Sequence, residues 1–185
     1  AIVPSTPPAI WILSGMNAST ASPLRSAKAH ALTGHVAIPG DKSVSHRALI
    51  FGAIAVGTTR IAGLLEGDDV LNTARALRRL GVPIERGADG VWIVHGVGLG
   101  GLAEPEAVLD LGNSGTGARL LMGLVATHPV TSFFTGDESL CRRPMARVTA
   151  PLTEMGARFV ARAGARVPLA VLGAREPLPI EYRLP

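Results

Sequence analysis

A single cysteine, Cys141, rules out any disulfide within the chain, so the fold must rest on packed apolar surface rather than on cross-links. Aromatic residues are scarce too, at 4% of 185 residues, with one tyrosine and two tryptophans. A platform that stacks successive bases needs more than that, which argues against a nucleic-acid partner. No tract of consecutive lysines and arginines stands in for it. Long hydrophobic runs are missing as well. Ala9-Ile10-Trp11-Ile12-Leu13 is too short to span a bilayer, and with no basic residue before it this stretch makes a poor signal peptide. The five histidines, His30, His35, His46, His95 and His128, are scattered, show no metal-ligand spacing and read as ordinary core or surface residues.

What is present is core material. Apolar residues make up 47% of the chain and charged residues 17%, a profile for one folded domain or slightly more. Leu, Ile, Val and Ala carry it. The net charge of +4 and a pI of about 10.2 call for an anionic partner: nucleic acid, a membrane surface or a phosphorylated small molecule. The lone thiol fits a reducing, cytoplasmic setting. The first 31 residues differ in kind, being rich in Pro, Ser, Thr and Ala, and are expected to be an extension and linker ahead of a domain over 32–185. Met16 opens Met-Asn-Ala-Ser-Thr, so residues before it are expected to be an upstream extension.

The pattern of periodicity repeats. His35–Pro39 reads as a strand, Ser43–Val56 as an apolar helix, Thr59–Gly63 as a strand and Asp69–Leu80 as an amphipathic helix. Pro83–Arg86 and Val91–His95 read as a hairpin. The same β-α-β-α-β-β order returns as Val108–Leu111, Ser114–Thr127, Thr131–Thr135, Met145–Met155, Arg158–Ala161 and Pro168–Leu172. Gly40 and Arg47 match Gly112 and Arg119 at one offset, and Gly81 matches Gly156 at nearly the same one, which marks an internal repeat. Unit one spans about 34–97 and unit two about 106–173. Pro179–Pro185 resembles His35–Pro39 and is expected to start a third unit, cut off where its loop and helix should follow. The fold class is therefore α/β, built of repeated units. The helices Ser43–Val56 and Ser114–Thr127 are apolar nearly all round and should be buried, while Val70, Ala74 and Leu77 give Asp69–Leu80 one buried face. Asp68 and Asp69 suit a helix N-terminus by capping and by the dipole.

The chemistry sits at the strand–helix junctions. Gly40-Asp41-Lys42-Ser43-Val44-Ser45-His46-Arg47 places free N–H groups, an ammonium and a hydroxyl at a helix start. Arg47 lies one turn after Ser43, on the same face, and can grip a phosphate or carboxylate with two N–H groups. A plain helix cap with solvated side chains is the other reading. The loop is no Walker A motif. Leu111-Gly112-Asn113-Ser114-Gly115-Thr116-Gly117-Ala118-Arg119 occupies the same place in unit two, with glycines that allow close approach to the backbone. A tight turn that serves packing alone is its alternative. The repetition points to two anionic groups, on one substrate or on two. In Gly136–Met145, Arg142 and Arg143 stand at a helix entrance and Pro144 suits its first turn. Arg142 reads as solvated, and Cys141 as an unreactive loop thiol.

Taken together, Gly40–Arg47, Leu64-Leu65-Glu66-Gly67-Asp68-Asp69-Val70, Gly112–Arg119 and Arg143-Pro144-Met145 resemble the EPSP synthase family, nearest to its class II bacterial branch, over about Leu32 to Pro185. The resemblance implies two similar domains, each of three β-α-β-α-β-β units, closing on their substrates. It implies transfer of the enolpyruvyl group of phosphoenolpyruvate to the 5-hydroxyl of shikimate 3-phosphate by addition–elimination, with release of phosphate and no metal or organic cofactor. By the same resemblance Lys42 contacts both substrates and is the one catalytic residue assigned. Ser43 and Arg47 hold shikimate 3-phosphate, and Asn113, Gly115, Thr116 and Arg143 shape the phosphoenolpyruvate pocket. Glyphosate is the implied inhibitor, and members that tolerate it often carry alanine where Gly115 stands. The family's Ser-Ala-Gln loop and its acidic proton carriers belong to later sequence, so this chain alone is expected to turn over little or nothing and to need the remaining half for a full site. Two relatives of similar fold stay open: the UDP-N-acetylglucosamine enolpyruvyl transferases, which usually have Lys-Asn in place of Lys42-Ser43, and an RNA cyclase family. An inactive or incompletely folded fragment is the third alternative.

Overall fold

The computed structural model describes residues 26–27 and 34–183. The expected extension over 1–31, including Met16, lies outside the described residues apart from Ser26 and Ala27. One compact unit runs from Ile38 to Pro185, and the residues described before it form neither helix nor strand.

Within that unit the chain makes α1 (Lys42–Ile54), β1 (Val56–Ile61), α2 (Asp68–Arg79), β2 (Ile84–Arg86) and β3 (Trp92–Val97). It continues with β4 (Leu109–Asp110), α3 (Gly115–Ala126), β5 (Thr131–Thr135), α4 (Glu138–Arg142), α5 (Ala146–Glu154), β6 (Arg158–Arg162) and β7 (Arg166–Leu172). The strands form two sheets, β1-β3-β2 and β4-β5-β7-β6. In the second, β4 runs parallel to β5 and the other pairs are antiparallel. Helix α1 packs on β3 and α3 on β7, while α2 bridges α1 and α3. One core runs through all of this, from Leu49, Leu77 and Trp92 to Leu121, Phe134 and Met145. No helix among the described residues is long and apolar enough to cross a membrane.

Local chemistry explains the helix starts. Asp41 caps α1, its Oδ1 accepting the Val44 N–H at 2.8 Å. Ser114 caps α3 in the same way, accepting the Gly117 N–H at 3.1 Å. Asp68 and Asp69 sit in the first turn of α2, where their charge favours the positive end of the dipole, but the cap itself is Gly67 and makes no side-chain bond. The amphipathic reading of α2 holds: Val70, Ala74 and Leu77 are buried and Arg75, Arg78 and Arg79 are exposed.

Several expectations fail. Residues 35–39 form no strand, so the first sheet has no counterpart of β4. Val36 and Ile38 alternate correctly, but a strand exists only by pairing, and here they stand exposed. The segment expected to open a third unit is likewise without strand over 179–183, and residues 184–185 lie outside the described residues. Helix α1 is not buried all round. Val44 and Phe51, two turns apart on one side, are 65% and 63% exposed. Helix α4 was not expected, and Pro144 precedes the Met145 cap of α5 instead of entering its first turn.

The repeat is also written in close contacts that composition cannot show. Gly96 on β3 passes over the end of α1, where a Cβ would meet the carbonyl oxygens of Gly52 and Ala55. Gly173, just after β7, passes over the end of α3, where a Cβ would meet those of Val125 and His128. Backbone cannot yield as a side chain can. Gly96→Ala and Gly173→Ala should each lower stability by about 1–3 kcal/mol, the range for forcing extra atoms into a packed interior. Gly123→Ala, where nothing lies within 4 Å of the added carbon, should instead raise it. Urea denaturation of the three variants checks this.

Candidate functional site

The first turns of α1, α2 and α3 meet, and the meeting point is built from small polar groups. Lys42 at the start of α1 forms an ion pair with Asp69 in the first turn of α2. One turn deeper, His46 Nδ1 lies 2.8 Å from Thr73 Oγ1. Gly117 of α3 closes the junction. A Cβ there would stand 2.7 Å from Thr73 Oγ1 and 3.4 Å from His46 Cε1, so only glycine lets the three helices approach this closely. Asn72 of α2 adds a bond from Nδ2 to the Leu111 carbonyl at 2.9 Å, which ties α2 to the loop before α3. The free N–H groups of three helices thus lie at one end of the unit.

Arg143 reaches this end from the other direction. Asp137 caps α4 by accepting the Leu140 N–H at 2.7 Å, and Met145 N–H donates to the Ala165 carbonyl at 3.0 Å, so the Arg143-Pro144 segment is pinned on both sides. The guanidinium donates to Asn113 Oδ1 and, at 3.1 Å, to Ser139 Oγ. Asn113 in turn donates through Nδ2 to Asp137 Oδ2 at 2.7 Å. Asn113 is therefore fixed from both ends and sets where Arg143 points. Gly115 lies under the same guanidinium: a Cβ would be 2.8 Å from Arg143 Nη1 and 3.0 Å from Arg119 Nη1.

Positive charge at this end is only partly answered. Lys42 has Asp69, but among the described residues Arg47, Arg119, Arg143 and Arg147 form no ion pair with a carboxylate. Burial first, and then the neighbouring charges of Arg147 and Arg143, push the Arg119 guanidinium below its usual pKa. Arg47 and Arg119 use the same local brace, each donating to the carbonyl four residues back, Ser43 at 3.1 Å and Gly115 at 3.2 Å. Such a surface suits a multiply charged anion and repels a cation. A cleft of about 640 Å³ lies alongside, lined by Asp69, Asn72, Arg75, Asn113 and Asp137 among others. Lys42, Ser43, Arg47, Gly115 and Arg143 do not line it.

The residues singled out in the sequence fall into two bonded sets joined by the helix junction. Lys42, Ser43 and Arg47 are exposed on the first turns of α1, and Asn113 and Thr116 are exposed at the start of α3. Gly115 is buried and Arg143 half-buried. Asp69, Thr73, Asp137 and Arg119 were not singled out for the site. Arg119 has a sequence signal in its match to Arg47, and Asp69 one in its place at a helix start; the bonds of Asp69 to Lys42, of Thr73 to His46 and of Asp137 to Asn113 join residues far apart in sequence. Arg142 pairs with Glu138 and is exposed, and Cys141 donates to the Gly136 carbonyl at 3.4 Å. Among the described residues no group of three His, Cys, Asp or Glu gathers as a metal site would require.

Comparison with known proteins is consistent with this geometry. The family model described as EPSP synthase (3-phosphoshikimate 1-carboxyvinyltransferase) matches residues 26–185. A 3-phosphoshikimate 1-carboxyvinyltransferase of Parvibaculum lavamentivorans is 66% identical over 166 residues, covering 90% of this chain and 37% of the relative. One of Paramagnetospirillum magneticum is 63% identical over 165 residues, with 89% and 37% covered. The solved EPSP synthase of Acinetobacter baumannii superimposes with a TM-score of 0.76 at 45% identity, over 80% of this chain and 34% of that one. The chain spans little more than a third of the length of these curated relatives.

The Asp137 carboxyl lies below the usual aspartate range, chiefly through the Leu140 N–H it accepts and then through Asn113 and Arg143. A depressed carboxyl stabilises the fold fully above the unfolded pKa of about 4 and loses that share as pH falls through the folded value. The thermal midpoint of the wild type should therefore drop more steeply below about pH 4 than that of Asp137→Asn, which keeps the cap without the charge. Melting curves followed by circular dichroism across the acid range measure the difference.

Proposed function

The chain belongs to the EPSP synthase family, and we propose that it carries one wall of the site that transfers the enolpyruvyl group of phosphoenolpyruvate to shikimate 3-phosphate. The observation that carries this reading is the convergence of three helix N-termini with arginines that have no carboxylate partner among the described residues. Both substrates are multiply anionic, and a set of fixed cations and N–H groups is what holds such molecules in attack geometry.

In this reading Ser43 and Arg47 take the phosphate of shikimate 3-phosphate, and Lys42 lies between the two substrates. The Gly115 backbone and Arg143 hold phosphoenolpyruvate, with Asn113 and Thr116 shaping its pocket. The 5-hydroxyl adds to the enol carbon, and the tetrahedral adduct loses phosphate to give the new enol ether. Lys42 shields the charge that passes from one substrate to the other. Its ion pair with Asp69 orients the ammonium. Proton transfer to and from the methylene carbon needs positioned acids and bases. In this proposal those come from the sequence that the longer relatives have and this chain does not span. The exposed Val44 and Phe51 side of α1 is the apolar surface that such further sequence would cover. The chain is proposed to work in the cytoplasm, where its lone thiol would stay reduced.

Two measurements test the reading. Shikimate 3-phosphate titrated into the chain should shift amide resonances near 42–47, and Arg47→Ala should abolish those shifts. No response in the wild type would overturn the assignment. The second concerns glyphosate as an inhibitor. In Gly115→Ala the added methyl would stand 2.8 Å from Arg143 Nη1, which must give slightly, and would take up space beside the bound inhibitor. In the enzyme of full family length, the glyphosate inhibition constant should rise by about tenfold or more, about 1.4 kcal/mol, with phosphoenolpyruvate affinity little changed. An unchanged inhibition constant would count against Gly115 as the inhibitor's floor.

A further inference from the structure

His46 is fully buried, although its neighbour Arg47 is exposed and Lys42 stands one turn before it on the same face. Its Nδ1 is 2.8 Å from Thr73 Oγ1, and Thr73, equally buried, has its hydroxyl 3.3 Å from the Asp69 carbonyl of its own helix. A carbonyl oxygen only accepts, so the hydroxyl hydrogen goes there and the imidazole donates from Nδ1. That leaves Nε2 as a bare acceptor, and among the described residues it has no hydrogen-bond partner. Burial keeps the ring neutral, and Lys42 and Arg47 of α1 reinforce burial while Asp69 of α2 opposes it. Helix α3 meets the ring at Gly117.

An unpaired ring nitrogen in a core is unfavourable, and a leucine would fill the space without it. What the imidazole adds is a directional bond between α1 and α2. We propose that His46 and Thr73 are positioning residues for the anion site, their bond fixing the rotation of α1 against α2 and so the places of Lys42, Ser43 and Arg47 relative to Asn113–Thr116. A helix turned by about 15° moves the tip of a long side chain by about 1–2 Å. That exceeds what a charge-assisted hydrogen bond tolerates. The inference rests on Lys42, Ser43 and Arg47 being ligands of shikimate 3-phosphate.

The test is a titration of shikimate 3-phosphate into folded variants well below their melting temperatures. His46→Asn keeps a donor where Nδ1 stands and should bind within about twofold of wild type. The double variant His46→Leu/Thr73→Val replaces both polar partners by apolar groups, which leaves stability near that of wild type. It should bind about fivefold more weakly or worse, the equivalent of an ordinary hydrogen bond. Thr73→Ser against Thr73→Val repeats the comparison should the double variant not fold, with serine expected to bind tightly and valine weakly. A role in packing alone would move melting temperature and leave these affinities equal, and equal affinities overturn the proposal. If that happens while Arg47→Ala still loses the ligand, the site reading stands and only the inference falls. If the wild type itself does not bind, both fall together.

Discussion

The absence of a side chain at Gly117 is the condition on which the rest of this end of the molecule depends. Helices packed through ordinary side chains keep their axes about 8–10 Å apart, and a glycine at the contact lets them come closer. At Gly117 the backbone of α3 comes close enough to touch Thr73 and the His46 ring. Everything exposed above that contact is placed by it: Lys42 against Asp69, and the loop from Gly112 to Thr116 over the start of α2. His46, Thr73 and Ser114 at the junction are buried, and their polar atoms fix direction.

Charge is distributed to match. Of the acidic residues nearby, Asp41 and Asp137 cap helices, Asp69 holds Lys42 and Asp110 accepts the Gly112 N–H, while Asp68 lies exposed in the first turn of α2. The arginines are held by neutral carbonyl, amide and hydroxyl oxygens. Neutral acceptors orient a guanidinium without cancelling its field. Beside Arg47, Arg119 and Arg143 the local potential is therefore positive and suits an anionic ligand.

Much of this was legible in the sequence because the chain says it twice. The offset that relates Gly40 and Arg47 to Gly112 and Arg119 located both helix starts, and α3, α2 and β5 fall where the periodicity put them. The family likeness added roles that spacing alone left open. What could not be read were the relations made in space. Residues 35–39 have a strand's alternation but no partner in the described fold. The α4 turn is five residues long, too short for any periodicity to register. The burial of one side of α1 and the exposure of Val44 and Phe51 on the other depend on which neighbours are present, since the helix is apolar on both. His46 looked like any histidine, because its partner Thr73 lies a whole helix away.

The shared brace of Arg47 and Arg119 has a thermodynamic side. Each guanidinium already donates to a carbonyl of its own first turn, so its long side chain has given up much of its rotamer freedom before any ligand arrives. Immobilising such a side chain on binding ordinarily costs about 0.5–1.5 kcal/mol. Here part of that ordering took place during folding, through the bond to the helix carbonyl. An anion meeting this surface finds arginines already braced, and the association loses less entropy than a pair of freely moving arginines would impose.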